Sequence, residues 1–121
     1  MANEIERWYA ARGLHGWSLH PGGIGTGLQI RIDFSEYKKL PEIQRILKSP
    51  EQGAAMTLLA AVDKELEGKG GKFLDDCAVS LPVKPELATD LASPGYAWAY
   101  DEEAAKKLWT VSSGIVGVEE E

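Results

Sequence analysis

Few residues in this chain have types and spacing that suggest chemistry. The run Pro21-Gly22-Gly23-Ile24-Gly25-Thr26-Gly27 places four glycines within six residues. Such a run is a loop whose backbone takes positive φ or lies close to something else. After a strand, it could present its N–H groups to a phosphate or another ligand. It could equally be a structural turn. The fixed spacings of known phosphate loops are not met. Gly22 to Gly27 is not followed by Lys and Ser or Thr, as a P-loop requires. No register reads G-x-G-x-x-G, because counting from Gly23 ends on Leu28 and counting from Gly25 ends on Ile30. Both readings stay open on these residues.

The other candidates read as structural. His15 and His20 are separated by a turn and a strand, so they share no helical face and read as ordinary polar side chains rather than metal ligands. Asp75, Asp76 and Cys77 are adjacent, so their side chains alternate across a strand instead of converging. Cys77 is expected to be buried and inert. Asp101-Glu102-Glu103 reads as the acidic start of a helix. Trp8, Trp17 and Trp109 are expected at core or contact positions. Trp98 sits between Tyr96 and Tyr100 and suits either a partner or a lid.

The elements that must position these residues follow from periodicity. Asn3 to Arg12 is expected to be a helix, with Ile5, Trp8 and Tyr9 on one face. Asn3 and Glu6 have capping-box spacing, and Gly13 closes the helix. Gly16 to His20 reads as a short strand running into the glycine turn, and Gln29 to Phe34 alternates in part. Pro41 to Lys48 reads as a short helix with Ile43, Ile46 and Leu47 inward. A second helix starts at Ser49, with Pro50 at N1 and Gln52 at N3. Ala55, Leu58, Leu59, Val62 and Leu66 continue it at core spacing, and Gly68 ends it. Lys72 to Leu81 reads as one strand with Phe73, Cys77, Val79 and Leu81 on a shared face, stopped by Pro82. Pro82 to Gly95 reads as a surface loop. The last helix starts near Asp101 and ends at Gly114. Two strands joined through helices make a parallel βαβ unit, hence α/β architecture. Two parallel strands are too few for a sheet covered on both faces, so a side is expected to be open.

Composition bounds the rest. The chain has 121 residues, 44% hydrophobic and 26% charged, with 13 Lys+Arg against 19 Asp+Glu and a net charge of −6. That is average for a globular domain and allows one domain, residues 1–121. An acidic chain lacks the basic footprint of a nucleic-acid or anionic-membrane binder. The uncharged stretch Gly13 to Ile30 is broken by glycines, a proline and two histidines, so no membrane span is expected. No signal peptide is visible after Met1. One cysteine excludes an internal disulfide and suits a reducing compartment, and the cytoplasm is the default location.

The segment Ser18-Leu19-His20-Pro21-Gly22-Gly23-Ile24-Gly25-Thr26-Gly27-Leu28 resembles the stretch after the sixth strand of short-chain dehydrogenases/reductases. Its marks are the Pro-Gly pair, an aliphatic residue two past the glycine, and a threonine two further. Ser49-Pro50-Glu51-Gln52-Gly53-Ala54-Ala55 resembles the start of that family's later helix, and Gly71 to Cys77 its final strand. Gly95-Tyr96 to Trp109 resembles the tail of its retinol-dehydrogenase-like and fungal members. The resemblance covers nearly all of the chain but only the C-terminal part of the family. It implies the C-terminal portion of a Rossmann-like, doubly wound parallel sheet. It also implies a nicotinamide cofactor, NADP or NAD, with a small-molecule carbonyl or alcohol as substrate.

By the same resemblance, Pro21, Gly22, Gly23, Ile24 and Thr26 are the cofactor-binding residues. Gly22 and Gly23 would allow close approach, the Ile24 backbone would meet the carboxamide, and the Thr26 hydroxyl would bond the carboxamide or diphosphate. Residues from about Leu28 to Leu47 would match the region that closes over substrate. The family's dinucleotide-binding turn, catalytic serine and Tyr-x-x-x-Lys pair have no counterparts here. Four residues after Tyr9, Tyr37, Tyr96 and Tyr100 stand Gly13, Pro41, Tyr100 and Ala104. Met1 would fall just after the family's lysine, within the same helix. Three expectations follow. The chain alone lacks dehydrogenase activity and carries no catalytic residue of the family type. It is a truncated product or an incomplete gene model. Or it pairs, through the open edge of the Trp17–Leu19 strand, with a full-length relative or with itself.

Overall fold

The structure, a computed structural model, describes residues 1–29, 33, 35–82 and 97–118. The readings for Ile30 to Phe34 other than Asp33, for 83–96 and for 119–121 lie outside the described residues. Helix α1 spans Ala2–Tyr9 and continues as a 3-10 turn, Ala10–Arg12, closed by Gly13 at φ 80. Strand β1 is Trp17–His20 and β2 is Gly23–Ile24. Helix α2 (Pro41–Ile46) leads into β3 (Leu47–Lys48) and then α3 (Pro50–Val62). Strands β4 (Lys72–Asp75) and β5 (Ala78–Ser80) precede a 3-10 turn at Ala97–Tyr100 and helix α4, Glu102–Val116.

The fold is mixed α/β with two small sheets. One is three-stranded in the order β1-β4-β5 and the other pairs β2 with β3. Strand β1 runs parallel to β4, Trp17 opposite Lys72 and His20 opposite Asp75. Their carboxyl ends therefore leave the same edge. The expected parallel pair is present, and among the described residues β1 has no strand on its other side. The expected single strand from Lys72 to Leu81 is instead a hairpin. Strand β5 turns back antiparallel, with Phe73 opposite Ser80 and Asp75 opposite Ala78. Asp76 and Cys77 form the bend at φ 48 and 58. The reversal exposes Cys77, which is neither buried nor part of an inward face. Leu74 takes the core position at 0% exposure, a burial that contributes about 1.5–3 kcal/mol.

The start of α3 is as expected. The Ser49 hydroxyl accepts from the Gln52 N–H, and the Gln52 side chain accepts from the Ser49 N–H at 2.8 Å. This reciprocal cap satisfies two of the free donors of the first turn. The buried strip of α3, however, runs through Gly53 and Met56. Leu58 and Val62, expected inward, are exposed. The helix stops at Val62, not Gly68, because Asp63 leaves the helical conformation and its side chain caps a following 3-10 turn, Lys64–Leu66.

Three further expectations change. Asn3 does not cap α1; its side chain donates to the Ala99 carbonyl at 3.0 Å and ties the helix to the turn before α4. Trp8 is exposed. The contacts of α1 are made by Ile5 against Gly16 and by Tyr9 against Trp109, ring centroids 6.3 Å apart. Glu4, the buried residue of α1, is held by Arg7. Helix α4 begins as expected, Asp101 accepting from the Ala104 N–H at 2.9 Å. It runs through Gly114 and closes at Gly117, whose φ of 68 supplies the left-handed residue of a helix end.

Candidate functional site

At the shared carboxyl edge, β1 gives way to Pro21 and the glycine turn. This is the edge outside which ligands bind in open α/β sheets. Gly22 has φ 90, and a Cβ there would stand 2.7 Å from Lys48 Cδ. The positive φ favours glycine at this position, and a side chain here would also displace the Lys48 stem. Gly23 and Ile24 then pair in parallel with Leu47 and Lys48. The Ile24 side chain turns into α3, where it fills the space that a Cβ on Gly53 would need. Gly53 is thus explained: a glycine inside a helix is unfavourable unless packing demands it.

Gly23 and Gly27 are different. Neither has positive φ, and nothing lies within 4 Å of where a Cβ on either would stand. Their lack of a side chain serves no contact among the described residues; it leaves the backbone open to solvent. Thr26 is exposed, and its hydroxyl oxygen accepts from the Leu28 N–H at 3.3 Å. That leaves its own proton for donation. Pro21, Gly22, Gly23, Ile24 and Thr26 are therefore brought together on one continuous turn, with the Ile24 side chain anchored inward and the backbone on either side exposed. The open Cβ positions of Gly23 and Gly27 leave room for close approach of a planar group there, whereas Lys48 stands beside Gly22 and Lys38 near Gly25.

Two lysines flank the turn that the sequence did not single out. Lys48 crosses beside Gly22 and its ammonium meets Asp76 at 3.0 Å. Lys38 Nζ lies 3.6 Å from the Cβ position of Gly25. His20 and Asp75, opposite each other in β1 and β4, approach to 3.5 Å. Neither lysine has a spacing signal in the sequence; the β2–β3 pairing and the hairpin bring Lys48 and Asp76 together. Gly53 could have been found, as a glycine just inside a strongly capped helix.

The remaining candidates stay apart. His15 Nδ1 meets both Glu6 carboxylate oxygens at 3.1 Å, just before the amino end of β1, whereas the turn follows its carboxyl end. His15 and Trp17 line a cavity of about 390 Å³ together with the end of α3 and the segment 63–69. No residue of the glycine turn lines it. Among the described residues no group of three or more His, Cys, Asp or Glu could hold a metal ion. No described helix is long and apolar enough to cross a membrane. Trp98 is exposed.

A parallel strand pair with a glycine turn leaving its carboxyl edge presents that turn at the edge where open α/β sheets take ligands. Comparison with known proteins gives the family. A short-chain dehydrogenase/reductase of Penicillium roqueforti is 46% identical, over 99% of this chain and 36% of its own length. An oxidoreductase of Penicillium decumbens is 40% identical, over 100% of this chain and 37% of its own. Retinol dehydrogenase 13 of Mus musculus is 34% identical, over 84% of this chain and 28% of its own. The chain belongs to the short-chain dehydrogenase/reductase family and matches the C-terminal part of its members. It spans about a third of the length of these curated relatives. No protein-family model and no solved structure matches it.

Proposed function

We propose that residues 1–121 are one partial Rossmann-like domain, the C-terminal portion of a doubly wound parallel sheet, and form the nicotinamide-side wall of an NAD(P)-dependent oxidoreductase. The observation that carries this reading is the open backbone at Gly23, on a turn already held by Ile24 and Gly22. The cofactor, when bound, gives or takes a hydride in the interconversion of a carbonyl and an alcohol. The chain's own part is to bind and orient. Gly22 and Gly23 admit the ring, the Ile24 backbone meets its carboxamide, Pro21 sets the entry of the turn, and the Thr26 hydroxyl donates a hydrogen bond. A small-molecule substrate lies on the side of residues 28–47. The cytoplasm is the proposed location.

These residues by themselves do not catalyse the transfer. The proton exchanged with the substrate oxygen needs a phenol of lowered pKa, helped by a nearby lysine, and no tyrosine here has a lysine four residues on. The purified chain, assayed with NADPH or NADH and a panel of ketones, is expected to show no turnover above background; turnover would overturn this part. Titrating NADP+ or NAD+ into labelled chain is expected to shift the amide resonances of Gly22 to Thr26. Unmoved resonances at millimolar cofactor would overturn the binding role.

A second reading rests on the edge of β1. With no strand beside it among the described residues, it offers unpaired backbone groups to another chain. As a non-catalytic module, the chain would pair there with a full-length relative or with itself. Size-exclusion chromatography over a concentration series tests this, and a compact monomer throughout would count against it.

A further inference from the structure

The Pro21–Gly22 turn is crossed by a side chain that neither periodicity nor family resemblance singled out. Lys48 lies over Gly22, where a Cβ would stand 2.7 Å from its Cδ, 3.0 Å from its Cε and 3.2 Å from its Nζ. Beyond Gly22 its ammonium reaches Asp76 Oδ1 at 3.0 Å. The Lys48 side chain is only 24% exposed, against 89% for Asp76, so the lysine stem is packed and its tip meets an exposed carboxylate. The three residues come from three places. Gly22 follows β1, Lys48 belongs to β3 and pairs with Ile24, and Asp76 is the first residue of the β4–β5 bend. The strap therefore ties the glycine turn to the hairpin across the carboxyl edge of the sheet.

We propose that Lys48 and Asp76 act as a positioning pair for the glycine turn, holding the backbone of Gly23 and Ile24 in the conformation that faces the cofactor. This rests on the reading of the turn as the nicotinamide-side surface. Removing the ammonium frees the turn on one side while leaving the Ile24 anchor on the other. Asp76 sits at φ 48, a conformation that asparagine also accepts, so Asp76→Asn removes the charge without changing the bend. Lys48→Met keeps the stem over Gly22 and loses only the charge.

The experiment uses the full chain, isotopically labelled, with two readouts: solvent exchange of the Gly23 and Ile24 amides, and the NADP+ concentration that half-shifts them. Lys48→Met and Asp76→Asn are each expected to speed exchange about two- to fivefold, the range of one exposed ion pair, and to raise the half-shift concentration by a similar factor. The double variant should be no worse than either single one, since both remove the same interaction. Lys48→Arg, which keeps the charge, should retain slow exchange. Exchange unchanged in both single variants, or effects that add in the double, would overturn the proposal. So would tighter NADP+ binding in Asp76→Asn with weaker binding in Lys48→Met, which would make the ammonium a direct anion contact. If the parent chain shows no NADP+ response, the cofactor reading fails, and the exchange readout alone still decides whether the pair holds the turn.

Discussion

The turn after β1 and the turn after β4 leave the sheet side by side, His20 opposite Asp75, yet they solve the same problem differently. The first is built of glycines. Gly22 takes φ 90 without strain, and Gly23 and Gly27 leave open backbone. The second puts Asp76 and Cys77 at φ 48 and 58, a conformation that costs side-chain-bearing residues about 1–2 kcal/mol each. It is held by bonds to other elements, the Cys77 N–H donating to Met56 Sδ at 2.8 Å and Asp76 receiving Lys48. Glycine makes the first turn open and accessible. The second turn keeps its side chains and uses one of them to brace the first. A surface for close approach and a brace for that surface call for opposite residue types.

The contrast can be broken at several strengths. The largest effect falls beneath both turns. Leu74→Ala removes a fully buried side chain and should lower stability by about 2–5 kcal/mol in urea denaturation, loosening the sheet from which both turns leave. Gly22→Ala should lose about 1–3 kcal/mol, from positive φ and from the Lys48 stem that must move, and should weaken cofactor-induced shifts as well. Cys77→Gly should go the other way, stabilising by about 1 kcal/mol, because glycine suits the second place of a bend with two left-handed residues. Equal signs for the last two variants would show that the turns do not differ as described.

A comparable effect concerns the helix that carries the floor of the first turn. Ser49→Ala should cost about 0.5–2 kcal/mol by removal of the cap. The Ser49 hydroxyl also donates to Glu51 at 2.7 Å and, as the main cause, holds its carboxyl below the usual range. A depressed carboxylate stabilises the fold above its unfolded pKa, about 4.3, and that contribution disappears as pH falls through the lower folded value. The Glu51 carboxyl resonance of the parent chain should therefore titrate below that of Ser49→Ala, and acid should narrow the stability gap between the two.

Much of this was legible in particular residues. Ser49, Pro50 and Gln52 announce a helix start because capping chemistry is local. The glycine run announces a turn because φ preference belongs to single residues. The parallel pairing of Trp17–His20 with Lys72–Asp75 follows from two apolar strands with a helix between them. The hairpin is hard to read because the bend carries only the weak turn signal of Asp76; without glycine or proline, Lys72 to Leu81 reads as one extended run. The buried strip of α3 is not legible in its hydrophobicity, because Leu58 and Val62 are exposed while the contact is built on Gly53 and Met56. Strand lengths of two residues, as in β2 and β3, are too short to carry a period.

The residues alone determined the family, the α/β class, the glycine turn and the caps of α3 and α4, since each rests on local conformational preference or on a run of matched residues. Only the tertiary structure decided that the last strand doubles back, that Gly53 makes room for Ile24, and that Lys48 reaches over Gly22 to Asp76. The last two sets of contacts join positions 26 to 29 residues apart in the chain, and closing such distances is governed by packing between elements, which no local preference encodes.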